Sequence, residues 1–333
     1  MVSDLNTYGR SERQAGLYEK IACALYHVIR QVEGISCEYV PETVTDCDSS
    51  AQTSPKPVTV VCIADTLGRQ LTSLPRGDIL LHAGNLSRYG SFAEIQAQLH
   101  WLNEQPHKHK VVIARSRDLL MDKDFVRNNP HLELGKHRTA LKCGNVLYIH
   151  NSTTDLELPE HGRRIRIYGA AYNLQSQDPD YRDNRAFQYG PNKMNGDKGF
   201  WQDVIPENVD IALIHGPPKT HVDGGGNGCE RLLEELRRVK PKAVVCGHVH
   251  EGRGQETLKW DAPQTWFEGV ALRELNPWLC AAKMLLFLLC LVVRLLLGIE
   301  PKRESRRTTQ VVNASVACGR RNVEKRDAIT VVI

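Results

Sequence analysis

The feature that most narrows the fold of this chain is a series of short, β-branched apolar runs that starts at Val58 and recurs to the last residue. Residues 58–64, 78–82, 111–114, 145–150, 164–170, 210–215 and 243–247 each have the length and composition of a buried strand. Two further runs, 310–317 and 328–333, close the chain. Between these runs lie segments of helical period. Residues 92–103 are one; residues 229–240 are another, with Leu232, Leu233 and Leu236 on one face and acidic residues toward the start. Strands alternating with helices predict a layered α/β fold rather than a helical bundle.

Two segments fall outside that rhythm. Residues 11–33 place Leu17, Ile21, Ala24, Leu25, Val28 and Ile29 at helical spacing, which predicts an amphipathic helix, and the polar, Pro- and Ser-containing stretch 41–57 predicts a linker. The chain therefore divides into an N-terminal helix and linker, 1–57, and a main domain, 58–333. Residues 279–299 form an apolar stretch near the ~20 residues that a bilayer requires. Its two cations, Lys283 and Arg294, lie about three helical turns apart and share a face, with Phe287 and Cys290 between them. A helix of this kind can lie in a membrane interface, span weakly, or pack on the domain. The basic run 302–307 that follows favours an anionic leaflet.

Charge excludes one class of partner. The 43 basic and 39 acidic residues leave a formal net charge of +4, so no nucleic acid is expected, and local runs such as Arg163-Arg164-Ile165-Arg166 read as a solvated face. Ten cysteines are scattered with no C-x-x-C pair, and Cys62 and Cys246 sit within apolar runs. This argues against a disulfide framework or a cysteine zinc site. Residues 1–13 are polar and lack an apolar core of the signal-peptide type. The expected location is intracellular, cytoplasmic or membrane-associated, and not secreted.

Five segments sit where strands end, the position at which α/β folds bind ligands. They are Asp65-Thr66-Leu67, Gly84-Asn85, Arg115-Ser116-Arg117-Asp118, His215-Gly216-Pro217-Pro218 and Gly247-His248-Val249-His250. Each is weak alone; in this order they resemble the calcineurin-like metallophosphoesterases, whose motifs run D-x-H, G-D, G-N-H-D/E, H and G-H-x-H. The resemblance extends from Val58 to the C-terminus and is nearest the small metallophosphoesterase-domain branch with many fungal members. Gly77-Asp78-Ile79-Leu80-Leu81-His82-Ala83-Gly84, Gly228-Cys229-Glu230 and Val312-Asn313-Ala314-Ser315 support it. The resemblance implies a four-layer αββα sandwich, with the N-terminal helix and the apolar helix as additions. It also implies two divalent ions (Mn, Fe or Zn) that share a bridging carboxylate and activate water against a phosphate ester.

Carried over position by position, the pattern is incomplete. Asp65, His215, His248 and His250 match, as does Asp118, but Leu67 stands for the first-metal histidine and Asn85 for the bridging aspartate. Ser116 replaces the asparagine ligand, and Arg117 replaces the histidine that would contact the phosphate. The expected metal ligands are thus Asp65, Asn85, Ser116, His215, His248 and His250; the expected catalytic positions are Asp65, Asn85, Arg117 and His215. Two divalent ions about 4 Å apart repel by roughly 17 kcal/mol at an effective dielectric of 20, so losing the bridging charge predicts fewer than two bound ions. Three functions follow from this: a degenerate, weakly metal-binding phosphoesterase; a single-ion hydrolase or a fold recruited to small-metabolite chemistry; or a non-catalytic interaction protein at a membrane surface. Arg115 and Arg117 favour an anion, so the expected partner is a phosphorylated small molecule or another oxyanion.

Overall fold

The computed structural model describes residues 16–38, 56–133, 136–174, 186–189, 200–299, 308–318 and 324–333. Most of the proposed linker, 41–55, and residues 11–15 of the N-terminal helix lie outside them. The described residues group into two units: one takes those between 56 and 257 and between 309 and 333, the other residues 16–38 and 258–299.

In the first unit the apolar runs become two sheets. β1 (Thr59–Ile63), β2 (Ile79–His82), β3 (His109–Val112) and β4 (Val146–Tyr148) are parallel neighbours in that order, and β15 (Ile329–Val332) flanks β1 antiparallel. The second sheet takes β5 (Ser152–Leu158), β6 (Arg163–Ala170), β9 (Ile211–Ile214), β10 (Ala243–Cys246), β11 (Gly254–Lys259) and β12 (Thr308–Asn313), in the order β11-β12-β10-β9-β6-β5. Two-residue pairs, β7 (Asn173–Leu174) with β8 (Gln188–Tyr189) and β13 (Ala317–Cys318) with β14 (Glu324–Lys325), complete the set.

Side-chain alternation explains why two sheets form rather than one. On β1, Val60 and Cys62 face a core they share with Leu81, Val111, Ile167, Leu213, Val245 and Val312, residues drawn from both sheets. The intervening Val61 and Ile63 join Leu80 and Val112 against Ile95, Leu99 and Leu102 of α2 (Phe92–Glu104). With both faces covered, the strands must be apolar throughout, as their sequence is. α2 starts at a capping box in which Ser91 and Glu94 satisfy each other's backbone N–H groups. α3 (Lys123–Asn128) follows β3, and α4 (Glu230–Val239) buries Leu232, Leu233 and Leu236. The result is the expected αββα sandwich.

The second unit is helical. α1 (Leu17–Glu38), α5 (Ala262–Ala271) and α6 (Pro277–Leu296) bury Ala22, Ile29, Phe267, Val270, Cys280, Ala281 and Met284 together. Arg30 grips Asp261 through two hydrogen bonds, 2.8 and 2.7 Å, and Lys259 Nζ meets Glu33 at 2.8 Å. Tyr18 stacks on Trp278 with ring centroids 4.7 Å apart. α1 runs on to Glu38, five residues past its sequence-based end at 33.

Candidate metal centre

Parallel strands point their C-terminal ends the same way, so the five loops converge without any long-range guide. Asp65 comes two residues after β1, Asn85 three after β2, His215 directly after β9 and His248 two after β10. Asp65, Asn85 and His248 all take left-handed backbone conformations, with φ of 57°, 57° and 68°. Asp and Asn tolerate that region better than most residues. An isolated bridge between Ala64 and Ser315 ties the end of β1 to the segment after β12.

Two glycines permit the approach. A Cβ at Gly247 would fall 2.6 Å from Asp65 Oδ2 and 2.5 Å from Ala64 Cβ. At Gly84, with φ of 91°, it would fall 2.9 Å from Arg115 Cβ and 3.0 Å from His215 Nδ1. Both lie where the loops press closest, so the glycines in G-N and G-H-x-H have a steric reason.

Asp65 and His215 are fully buried and Asn85 is nearly so. Asn85 Nδ2 donates to Asp65 Oδ1 at 2.8 Å and lies 3.1 Å from His215 Nε2. Its other end, Oδ1, accepts from the Arg117 backbone N–H at 3.3 Å. The orientation of the amide is fixed by its partners, because a carboxylate requires a donor and a backbone N–H an acceptor. His215 Nδ1–H donates to the Ala83 carbonyl, which leaves Nε2 as the acceptor for the second Asn85 N–H. The His248 backbone N–H donates to Asp65 Oδ2 at 2.8 Å, and its ring centroid lies 5.2 Å from that of His215. His250 Nε2 stands 3.7 Å from Asp65 Oδ1.

Electrostatics agree with this assignment. Burial pushes His215 well below its usual range, and the nearby Arg115 and His248 add to it, so its imidazole is neutral. Burial alone would raise the Asp65 carboxyl, but the His250 ring and the Asn85 amide beside it hold it well below the carboxylate range. Asp118 is pushed up to about 6 by burial, against hydrogen bonds from Ser87, Arg115 and Leu86.

The structure therefore brings Asp65, Asn85, His215, His248 and His250 into one cluster. Arg117 joins it through its backbone, while its guanidinium reaches the Arg88 carbonyl at 3.3 Å. Ser116 is buried in the same loop, with its carbonyl accepting from Ala186 N–H. Leu67, at φ 52°, is buried at the loop that follows Asp65. Arg115, almost wholly buried, donates to the Tyr172 carbonyl at 2.7 Å. Among the described residues, no group of three or more His, Cys, Asp or Glu side chains is spaced to hold a metal ion.

One contributor escaped the sequence reading. His82, fully buried at the end of β2, accepts from Gly84 N–H at 3.1 Å through Nδ1, so its Nε2–H donates to Thr66 Oγ1 at 2.9 Å. Thr66 in turn donates to the Leu86 carbonyl at 3.2 Å. The imidazole thereby clamps the Asp65 loop to the Asn85 loop. Its position inside an apolar run, two residues before Gly84, was the available signal.

The donor set does not fit the two ions that the fold implies. One ion would need a lone pair of Asp65 Oδ1 and the other that of His215 Nε2, and each of these atoms already faces the Asn85 amide nitrogen. The amide nitrogen lies where a cation would have to lie.

Comparison with known proteins places the fold in a family. The family model described as calcineurin-like phosphoesterase matches residues 63–252. The chain is 29% identical over 240 residues to metallophosphoesterase domain-containing protein 1 of Homo sapiens, covering 65% of this chain and 68% of that one. It is 31% identical over 216 residues to a UPF0046 protein of Caenorhabditis elegans, covering 60% and 71%. It is also 32% identical over 278 residues to the Emericella nidulans protein named "Probable rhamnogalacturonate lyase C", covering 83% of this chain but only 24% of that much longer one. With its motifs in order at the strand ends and the family model covering more than half its length, this chain belongs to the calcineurin-like phosphoesterases.

Proposed function

We propose that the chain is a phosphoesterase-fold protein with an impaired dinuclear centre: it holds at most one divalent ion, weakly, and its hydrolysis of phosphate esters is residual or lost. The observation that carries this reading is the Asn85 amide, whose nitrogen donates to Asp65 Oδ1 and faces His215 Nε2. In place of a bridging anion between two cations stands a neutral group that supplies the hydrogens itself. A buried set satisfied in this way is stable with no ion present, since every acceptor has its donor. The Arg117 guanidinium supports an oxyanion as ligand, because it attracts phosphate and repels a cation.

Purified protein should carry well under one equivalent of Mn, Fe or Zn and turn over bis- and mono-aryl phosphates barely above background. Full dinuclear loading with fast turnover would overturn the proposal. The quadruple variant Leu67→His, Asn85→Asp, Ser116→Asn, Arg117→His should gain both metal and turnover; a folded but inert variant would show that the losses lie elsewhere.

A further inference from the structure

We propose that the helical unit docks on an anionic membrane surface through the outward face of α6, lying in the interface without crossing it. The packed side of α6 is defined by Cys280, Ala281 and Met284, which are buried against α1 and α5. At about 100° per residue, the side opposite Met284 carries Leu279, Leu286, Leu289, Val293 and Leu296. These are exposed, with Leu286 at 63%, Leu289 at 55% and Val293 at 52%. No charged residue interrupts that face. Lys283 and Arg294, both exposed, fall together along one edge of it, where their stems reach along apolar surface while their charges stay in the headgroup layer. Trp278, 61% exposed and stacked on Tyr18, stands at the N-terminal end, a residue type suited to the interface.

Charge complementarity selects the occupant. A second protein copy would bring its own Lys283 and Arg294 edge against this one, whereas an anionic lipid surface meets both cations favourably. The sequence adds Lys302, Arg303, Arg306 and Arg307 within a dozen residues of the helix end, against Glu300 and Glu304. A cluster of that size beside an amphipathic helix is the charge pattern of an anionic-lipid binder.

Topology excludes a span. The chain leaves the second sheet at β11, forms α5 and α6, and returns at β12, the hydrogen-bonded neighbour of β11. A spanning α6 would deliver Leu296 to the far side of the bilayer. The eleven residues 297–307 would then have to recross a core ~30 Å thick, fully extended at no more than about 40 Å. They would carry their unpaired backbone and the charges of residues 302–307 through hydrocarbon, which admits neither. The Arg30–Asp261 and Lys259–Glu33 pairs belong to the same small unit and would add to the cost.

The full-length protein should float with phosphatidylcholine vesicles that contain phosphatidylserine, far less with phosphatidylcholine alone, and should be released by alkaline carbonate. Leu286→Glu with Val293→Glu, on exposed positions that leave the packed side intact, should abolish flotation while far-UV circular dichroism is unchanged. Lys283→Gln with Arg294→Gln should weaken partitioning to serine-containing vesicles by roughly thirty-fold, at about a factor of five per charge. Three results would each overturn the proposal: no flotation, flotation that resists carbonate, or a solution dimer that the Leu286→Glu variant dissociates.

Discussion

Asn85 differs from an aspartate by one nitrogen, yet that atom reverses what the site asks of its surroundings. A carboxylate there would face the Asp65 carboxylate at hydrogen-bond distance inside a buried cluster and would need a cation to separate them. Asn85→Asp alone is therefore expected to lower stability by about 3–5 kcal/mol in chelator, the usual cost of an uncompensated buried charge, and to recover much of it in Mn. Urea unfolding with and without metal reads this directly; equal stability of variant and parent in chelator would contradict the geometry. Gly247→Ala should cost about 1–3 kcal/mol, because its Cβ would sit 2.6 Å from Asp65 Oδ2. At this scale Asp65, Asn85, His215 and the two later histidines were legible because each follows an apolar run at a strand end. His82 was not: it lies inside such a run, where a polar side chain gives no hint of whom it clamps.

Elements were legible in proportion to how apolar they are. The buried strands and α2, α4 and α6 were all readable to within a few residues. β5, with Ser-Thr-Thr-Asp at its start, and β11, Gly-Gln-Glu-Thr-Leu-Lys, were not, since both end a sheet and keep one edge in solvent. α5, as long as α4, was missed because it begins inside a turn-like Trp-Asp-Ala-Pro sequence; Asp261 caps it by accepting from Gln264 N–H. The ion pairs that hold α1 to the start of α5 give this helical unit a pH dependence. Burial alone would raise the Glu33 carboxyl, but hydrogen bonds from Lys259 and Arg30 outweigh it and lower its pKa. A depressed folded-state value means stability that is present above the unfolded value, about 4.3, and is lost as pH falls through the folded one. Thermal melts from pH 7 down to pH 3 should show that acid-side loss, flattened in Glu33→Gln; a parallel profile for the two would exclude the pair as its source.

For the whole molecule, the last stretch of chain matters more than the family match suggests. The match ends at residue 252, yet β12 inserts between β11 and β10 and β15 pairs with β1. A chain ending at residue 307 would lose Val312 and Val331 from the shared core and leave β10, β11 and β1 each with an unpaired edge. It is expected to be insoluble or to lack a cooperative melt. The layered α/β class was legible in the alternation of strands and helices, and the four-layer sandwich came from the resemblance that the strand-end motifs carry. The grouping of α1 with α5 and α6 was not, because nothing local records a partner more than two hundred residues away.

That distance has a consequence during synthesis. α1 emerges from the ribosome before the rest of its unit, and Phe267, Val270 and Met284, which cover Ala22 and Ile29, begin to arrive only after roughly 230 further residues. At about 5–20 residues per second the helix waits some 10–45 seconds with its apolar stripe uncovered. Over that interval the nascent chain presents an amphipathic segment to whatever binds such segments, and chaperone occupancy of newly made protein should concentrate on residues 17–38.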